Sequence, residues 1–323
     1  MNSLKAIKKP IKSELQEFES LFKESMSSKV PLLDKIMYYI VQRKGKQIRP
    51  LFVFLCAKLF QPVNNSTHIA ASLIELLHTA TLVHDDIVDD AHQRRGFFSV
   101  NALWKNKIAV LVGDYLFSKG MLLALDNDEF RILQIFSQSV KQMSEGELLQ
   151  MEKTRKLDIE EDTYFEIIKA KTASLIAAAC GTGAYSVTRD EAVLEKMWKF
   201  GELVGTAYQI KDDIFDYGSS KIGKPTGIDI KEKKMTLPLI HVLSNSSQSD
   251  KRWIIRTVKK DNLNPEKVNK VIKYVHDNGG IAYAKKKMNQ IVEEAIGILS
   301  DIPDSEAKTS LIQLIDFVIE REN

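Results

Sequence analysis

An acidic cluster set into an otherwise apolar helical segment constrains this chain more than any other feature. Residues 78–96 read HTATLVHDDIVDDAHQRRG, with Asp85, Asp86, Asp89 and Asp90 following Leu73, Ile74, Leu76, Leu77, Leu82 and Val83. Those apolar residues recur at the three- and four-residue spacings of a buried helix. At about 3.6 residues per turn, Asp85 and Asp89 lie roughly 40° apart around the axis and Asp86 about 100° from Asp85. A helix that buries its body yet carries like charges one turn apart holds a repulsion that a hard cation relieves. Oxygen donors without Cys or clustered His point to Mg2+, Mn2+ or Ca2+ rather than zinc.

Taken alone, such a cluster is equally well a solvated helix end. A second copy changes that reading. Residues 208–217 read YQIKDDIFDY, where Asp212, Asp213 and Asp216 repeat the i, i+1, i+4 spacing and Gln209 shares their arc. Two acidic faces far apart in one helical chain imply helices opposed across a cavity that clamps metal ions.

The chain has 323 residues with only 15 Gly and 8 Pro, and long amphipathic stretches are divided by short polar breaks. This predicts an all-α protein, a single-domain helical bundle around a central cavity spanning 1–323, because no Ser/Gly/Pro-rich linker divides it. A net charge of +3 argues against a nucleic-acid partner. Cys56 and Cys180 sit in apolar surroundings, as buried thiols of a reducing compartment do. With no signal-peptide core and no run near the 18 or so apolar residues of a membrane span, the expected location is cytoplasmic, with peripheral membrane contact left open.

Along the chain, helices are predicted over 12–27 and 30–43. A basic turn, Arg43 to Pro50, then precedes an apolar helix over 51–60; Gly45 permits an unusual backbone there, and the turn reads either as a solvated loop or as an anion site. A fresh helix is expected near Lys107, with Asp114 as a satisfied core carboxylate. A long helix over 128–153 sets Glu147 and Gln150 on one face. Lys171 and Thr172 interrupt a helix from Thr163 to Ala184, and the second motif helix runs from Arg189 to Tyr217. Behind it, residues 218–239 form a Gly- and Lys-rich loop containing Lys221, Lys224, Lys231, Lys233 and Lys234.

Carboxylates alone repel a diphosphate; carboxylates with a divalent cation, lysines and arginines clamp one. With Thr81, Leu77 and Ile74 predicted to line the cavity, the rest of the substrate should be a hydrocarbon. At this point the chain resembles, over nearly its whole length, the trans-isoprenyl diphosphate synthase (polyprenyl synthetase) family, through KGKQIRP, ELLHTATLVHDDIVDDAHQRRG, GDYLFSKG, KTASL, YQIKDDIFDY and GKPTGIDIKEKKMTLPL. The resemblance implies that Asp85, Asp86, Asp89, Asp212, Asp213 and Asp216 bind three Mg2+ ions, with Mn2+ as a substitute. It implies that Arg94, Lys171, Lys224 and Lys234 hold an allylic diphosphate, and that Lys46, Arg49, His78 and Arg95 hold isopentenyl diphosphate. Lys171, Thr172 and Gln209 would lie beside the reacting carbons, and the family commonly forms homodimers. Two stretches depart from the family: in the basic turn Lys44 replaces the first glycine and Gln47 a common basic residue, and in the late loop Lys233 and Met235 stand where Gly and Pro are frequent.

The expected activity is elongation of an allylic diphosphate by isopentenyl diphosphate with release of pyrophosphate. Small residues at Ala80 and Thr81, one turn before the first motif, with Leu77 behind them, predict a medium- or long-chain product, roughly C30 or longer. The alternatives are a shorter-chain farnesyl or geranylgeranyl diphosphate synthase, a class I terpene cyclase, or a non-catalytic synthase subunit. The QxxDDxxD second motif and the retention of all six aspartates count against the last two.

Overall fold

The structure is a computed structural model in which residues 4–43, 45–94, 96–218 and 227–319 are described. It is built from α-helices: α1 (Leu4–Ile7), α2 (Lys12–Ser25), α3 (Pro31–Gln42), α4 (Ile48–Lys58), α5 (Asn65–Val88), α6 (Val100–Leu125), α7 (Phe130–Lys156) and α8 (Glu161–Ile168). There follow α9 (Ser174–Thr188), α10 (Glu191–Asp216), α11 (Ile228–Lys231), α12 (Leu237–Asn245), α13 (Gln248–Lys260), α14 (Pro265–Asp277), α15 (Gly280–Ile298) and α16 (Glu306–Ile319).

Local chemistry sets many of the boundaries. Asn64 and Thr67 form a reciprocal capping box at the start of α5, and Asp190 accepts from Ala192 and Val193 to start α10. Pro31 and Pro265 occupy first-turn positions of α3 and α14, where no amide hydrogen is needed. The motif helices α5 and α10 both pack on α9, which is almost wholly buried and rich in small residues. Close approach is built in: a Cβ on Gly205 of α10 would lie 2.6 Å from the Ala173 Cα, so the second motif helix can lie directly against the turn before α9.

Four features differ from the sequence reading. Helix α6 begins at Val100 instead of near Lys107, because the chain is kinked at Lys105 (φ 70°) and two helical pieces run together. It is also long and apolar enough to cross a membrane, with a mean hydropathy of 1.7, although only 33% of that stretch is buried. A left-handed residue observed in the basic turn is Gln47 (φ 52°), just ahead of α4. Finally, Gln93–Arg94 pairs with Phe97–Phe98 as a two-stranded antiparallel hairpin, β1 and β2, turned at Gly96 (φ 78°).

Candidate active site

The first aspartates close α5. The helix ends at Val88 and Asp89 caps it, with the Asp89 amide still donating to the Asp85 carbonyl at 2.8 Å. The cluster then divides by burial. Asp85 and Asp89 are exposed to solvent, whereas Asp86 is buried and accepts from Arg94 Nε at 2.7 Å. A metal role for Asp86 therefore competes with its ion pair to Arg94.

The second cluster divides in the same way. Asp212 is exposed. Asp213 is buried and accepts from the Tyr164 hydroxyl at 2.7 Å and from Gln209 Nε2 at 2.9 Å, while Gln209 Oε1 accepts from Thr172 at 2.9 Å. Asp216 spends both carboxylate oxygens on the start of α11, accepting from the Ile228 amide at 2.8 Å and the Asp229 amide at 3.0 Å. Its place in the metal set thus competes with a capping duty that carries the chain back to the site after the Lys-rich loop.

The two faces are tied together by cations. Lys234 pairs with Glu232 at 2.5 Å; burial opposes its charge, but Glu232, Asp229 and Asp89 outweigh that and raise its pKa. One lysine thus feels both Asp89 at the end of α5 and Asp229 in the segment following α10. Lys171 bonds Glu147 at 2.5 Å and Gln150 at 3.0 Å, and Asp85 is shifted upward by desolvation and then by the nearby Glu147. Lys171 and Thr172 ride on a π-helical turn, Lys169–Ala173. Such turns re-aim side chains at functional sites. Gly146 lets α7 reach this turn, since a Cβ there would be 2.9 Å from the Lys171 nitrogen.

A cavity of about 600 Å³ opens beside these groups, lined by Lys46, Arg49, His78, Asp86 and Arg94 together with Leu82, Val83, Ile176 and Tyr208. Of the residues predicted to hold isopentenyl diphosphate, Lys46, Arg49 and His78 line this one cavity, and Arg94, predicted to hold the allylic diphosphate, lines it with them. The α5 stripe facing this cavity is Glu75, His78, Thr79, Leu82, Val83 and Asp86. Ile74, Leu77, Ala80 and Thr81 are buried against other parts of the core, so Thr81, Leu77 and Ile74 do not line this cavity as expected. Asp114 is 62% exposed at its side chain and lies 3.6 Å from His84, which corrects its reading as a core carboxylate. Arg95 and Lys224 lie outside the described residues.

Sequence reasoning missed Asp229 and Tyr164. Desolvation, then Asp213 and Asp216, raises the Asp229 carboxyl to about 8, and desolvation raises Asp213 to about 7. A carboxyl whose folded pKa exceeds its unfolded value favours the native state when protonated. Its contribution is complete below pH 4 or so and is lost as the pH rises toward the folded value, at up to about 1.4 kcal/mol per group per pH unit. Asp213 and Asp229 interact, so the titration belongs to the pair. Metal-free protein is expected to melt at a higher temperature at pH 5.5 than at pH 8, and Asp213→Asn should flatten that dependence; equal slopes in a melting series would refute it.

The donor set suits a hard divalent cation: carboxylates from two helices, with burial and mutual repulsion pushing pKa values upward. Among the described residues no three His, Cys, Asp or Glu side chains form a ready-made ion site. A cation held by one or two carboxylates, water and substrate phosphate oxygens fits that arrangement.

The Polyprenyl synthetase family pattern matches residues 30–275. The chain is 34% identical over 315 residues to the all-trans-nonaprenyl-diphosphate synthase (geranyl-diphosphate specific) of Rhodobacter capsulatus, covering 97% of this chain and 96% of that one. A polyprenyl synthase from Caulobacter crescentus CB15, complexed with calcium and isoprenyl diphosphate, superimposes with a TM-score of 0.90 at 29% identity, covering 99% of this chain and 98% of that one. A geranylgeranyl pyrophosphate synthase from Bacteroides thetaiotaomicron has a TM-score of 0.83 at 36% identity, and each chain is fully covered.

Proposed function

Because the chain belongs to the polyprenyl synthetase family, we propose that it joins isopentenyl diphosphate to an allylic diphosphate, giving a trans-polyprenyl diphosphate five carbons longer and pyrophosphate. The observation that carries this reading is the cavity lined jointly by Lys46, Arg49, His78, Arg94 and Asp86 of the first acidic motif.

Asp85 and Asp89 at the end of α5 and Asp212 on α10 expose carboxylates that would hold three Mg2+ ions, or Mn2+ in their place, and such ions would supply neutralising charge to the leaving diphosphate. Lys171 and Lys234 bind its oxygens, so charge that develops as the allylic C–O bond breaks meets fixed cations. The bond's electron pair departs with pyrophosphate. The carbonyl oxygen of Gln209 and the hydroxyl oxygen of Thr172, held together at 2.9 Å, offer lone pairs near the allylic cation. Lys46, Arg49 and His78 hold isopentenyl diphosphate so that its alkene pair forms the new C–C bond, and Arg94, lining the same cavity, holds the allylic diphosphate. A proton then leaves the adjacent carbon to released pyrophosphate.

A product of roughly C30 or longer is favoured by the nonaprenyl relative and by the small Ala80 and Thr81; a geranylgeranyl product is the second reading, because of the 36% identical structure. A homodimer is supported by the apolar outer face of α6 and its neighbours, where Leu111, Leu122, Phe130 and Leu148 are exposed. A cytoplasmic location, with membrane contact at product release, belongs to the same reading. The test is purified protein with labelled isopentenyl diphosphate, Mg2+ and several allylic primers, the products being read by mass and the active species by size. Ladders of five-carbon increments from a species of twice 36.7 kDa are expected. No elongation would sink the proposal, and hydrocarbon released without isopentenyl diphosphate would mark a cyclase.

A further inference from the structure

Charge is distributed unevenly along this chain. Residues 248–277, which hold α13, α14 and their connector, carry eight Lys and Arg against four Asp and Glu, so this stretch exceeds the +3 of the whole protein and leaves the rest slightly acidic. The apolar faces of both helices are buried, through Ile254 and Val258 of α13 and Val268, Val271 and Val275 of α14. The cations take the opposite faces: Arg252, Arg256, Lys259 and Lys260 are exposed within an arc of about 100° on α13, and Lys267, Lys270 and Lys273 within about 120° on α14. The two stripes adjoin. Lys270 Nζ lies 4.7 Å from the Trp253 ring centroid, and Lys267 pairs with Asp261 at 2.8 Å. That bond, with Arg256 and Lys260 nearby, holds the Asp261 carboxyl below its ordinary range, so three cations share one acid. At the tip between the helices Leu263 is 77% exposed, the most exposed large apolar side chain among the described residues. The same tip abuts the active-site segment: Asn262 Nδ2 donates at 2.5 Å to the Lys231 carbonyl at the end of α11, whose first amides bind Asp216.

We propose that the α13–α14 hairpin is a docking face for an anionic lipid bilayer, its cations meeting the headgroups and Leu263 entering the interface. Clustered Lys and Arg on one helical surface are what anionic headgroups attract, and an apolar anchor among lysines suits the boundary between water and acyl chains. Single-stranded nucleic acid would require open rings on which its bases stack. On this face the Trp253 ring is instead covered by Lys270 and meets Tyr274 edge-on at 5.5 Å. Docking here sets the segment that follows the second acidic motif beside the bilayer, which accommodates both the anionic head and the hydrocarbon tail of a polyprenyl diphosphate. The inference rests on the proposed function for the reason a bilayer is met, whereas vesicle binding is measured apart from turnover.

The experiment is co-sedimentation of the full chain with vesicles of phosphatidylcholine alone, or mixed equally with phosphatidylglycerol, alongside melting curves and elongation of a short allylic primer without vesicles. Binding is expected only to the mixed vesicles and should weaken as salt is raised. The triple variant Arg256→Gln, Lys259→Gln, Lys260→Gln should bind them about a hundredfold more weakly, about fivefold for each cation removed, and Leu263→Ser about tenfold more weakly. The triple variant Lys5→Gln, Lys12→Gln, Lys23→Gln removes as much charge from exposed positions on α1 and α2 and should bind like wild type. Elongation without vesicles should stay within about twofold throughout, since none of these residues lines the 600 Å³ cavity. Equal binding to neutral vesicles, binding to neither kind, or an equal loss in the α1–α2 variant would overturn the proposal. A single-stranded RNA that displaces the vesicles would also overturn it and reassign the face. A protein that elongates but ignores vesicles loses the docking face alone; one that binds mixed vesicles without elongating loses the proposed function and keeps the docking face.

Discussion

Asp85→Asn should lower kcat/KM by about three orders of magnitude, close to 4 kcal/mol of transition-state stabilisation, while leaving the metal-free protein no less stable than wild type. The two halves of this result have one cause. Asp85 stands where burial and the nearby Glu147 already disfavour its charge. Asparagine keeps the shape and removes the anion, so the repulsion among Asp85, Asp89 and Glu147 is relieved and nothing buried is orphaned. The same anion is one of the exposed carboxylates available to metal at the first motif, and without it charge on the departing diphosphate meets less compensation. Asp86→Asn is the informative contrast. Asp86 is 4% exposed and holds Arg94 through a charged hydrogen bond, so its loss should cost stability and should fall chiefly on the allylic diphosphate. Initial rates across a Mg2+ titration, with melting temperatures for all three proteins, measure this. A loss below about tenfold for Asp85→Asn would remove it from the metal-binding set.

What could be read in advance, and what could not, follows from the reach of each physical rule. Helical periodicity locates the long helices because a buried stripe must repeat every three or four residues, and α5, α7, α9 and α10 lie within a few residues of expectation. The break at Lys171 and Thr172 was legible as an interruption, but neither its π-helical form nor the close approach of α7 to it at Gly146 is written in the local pattern. Periodicity could not give the Gln93–Phe98 hairpin, whose two-residue strands carry no pattern and depend on Arg43 and Tyr39, far away in sequence. Spacing also placed all six motif aspartates in equivalent angular positions. What separates them is which neighbour each meets: Arg94 for Asp86, Tyr164 and Gln209 for Asp213, the amides of α11 for Asp216. Asp229 lay in plain view within GIDIKEKK, but only the fold brings it to Asp213. Lys233 adopts a left-handed conformation (φ 60°), a backbone that glycine takes without steric cost, so the resemblance's expectation of glycine there has a physical ground.

Thr81→Phe should shorten the product, halting elongation at about C20 or below, since Thr81 lies only one helical turn, roughly 5 Å, before Asp85. Leu77, Thr81 and Asp85 follow one another at intervals of four along α5 and so form a stripe leading from the diphosphate end toward the interior. A tail anchored at Asp85 and growing along that stripe meets Thr81 first. The residues there are small: Ala80 is fully buried, and Thr81, also buried, donates its hydroxyl to the His78 carbonyl at 2.9 Å. Further on, Leu73, Leu76 and Leu77 meet Gly120 of α6, where even a Cβ would come within 3.0 to 3.7 Å of them, so the tail would have to part α5 from α6 or bend aside. A phenyl ring at 81 fills the first of these positions and adds an overpacking cost of about 1–3 kcal/mol, which a melting curve would reveal. Mass analysis of products from wild type and variant under identical primer conditions is the measurement. An unchanged distribution from a folded variant would move the tail to the opposite stripe of α5, along Leu82 and Val83 toward Ile176 and Tyr208, where the 600 Å³ cavity already offers an apolar wall.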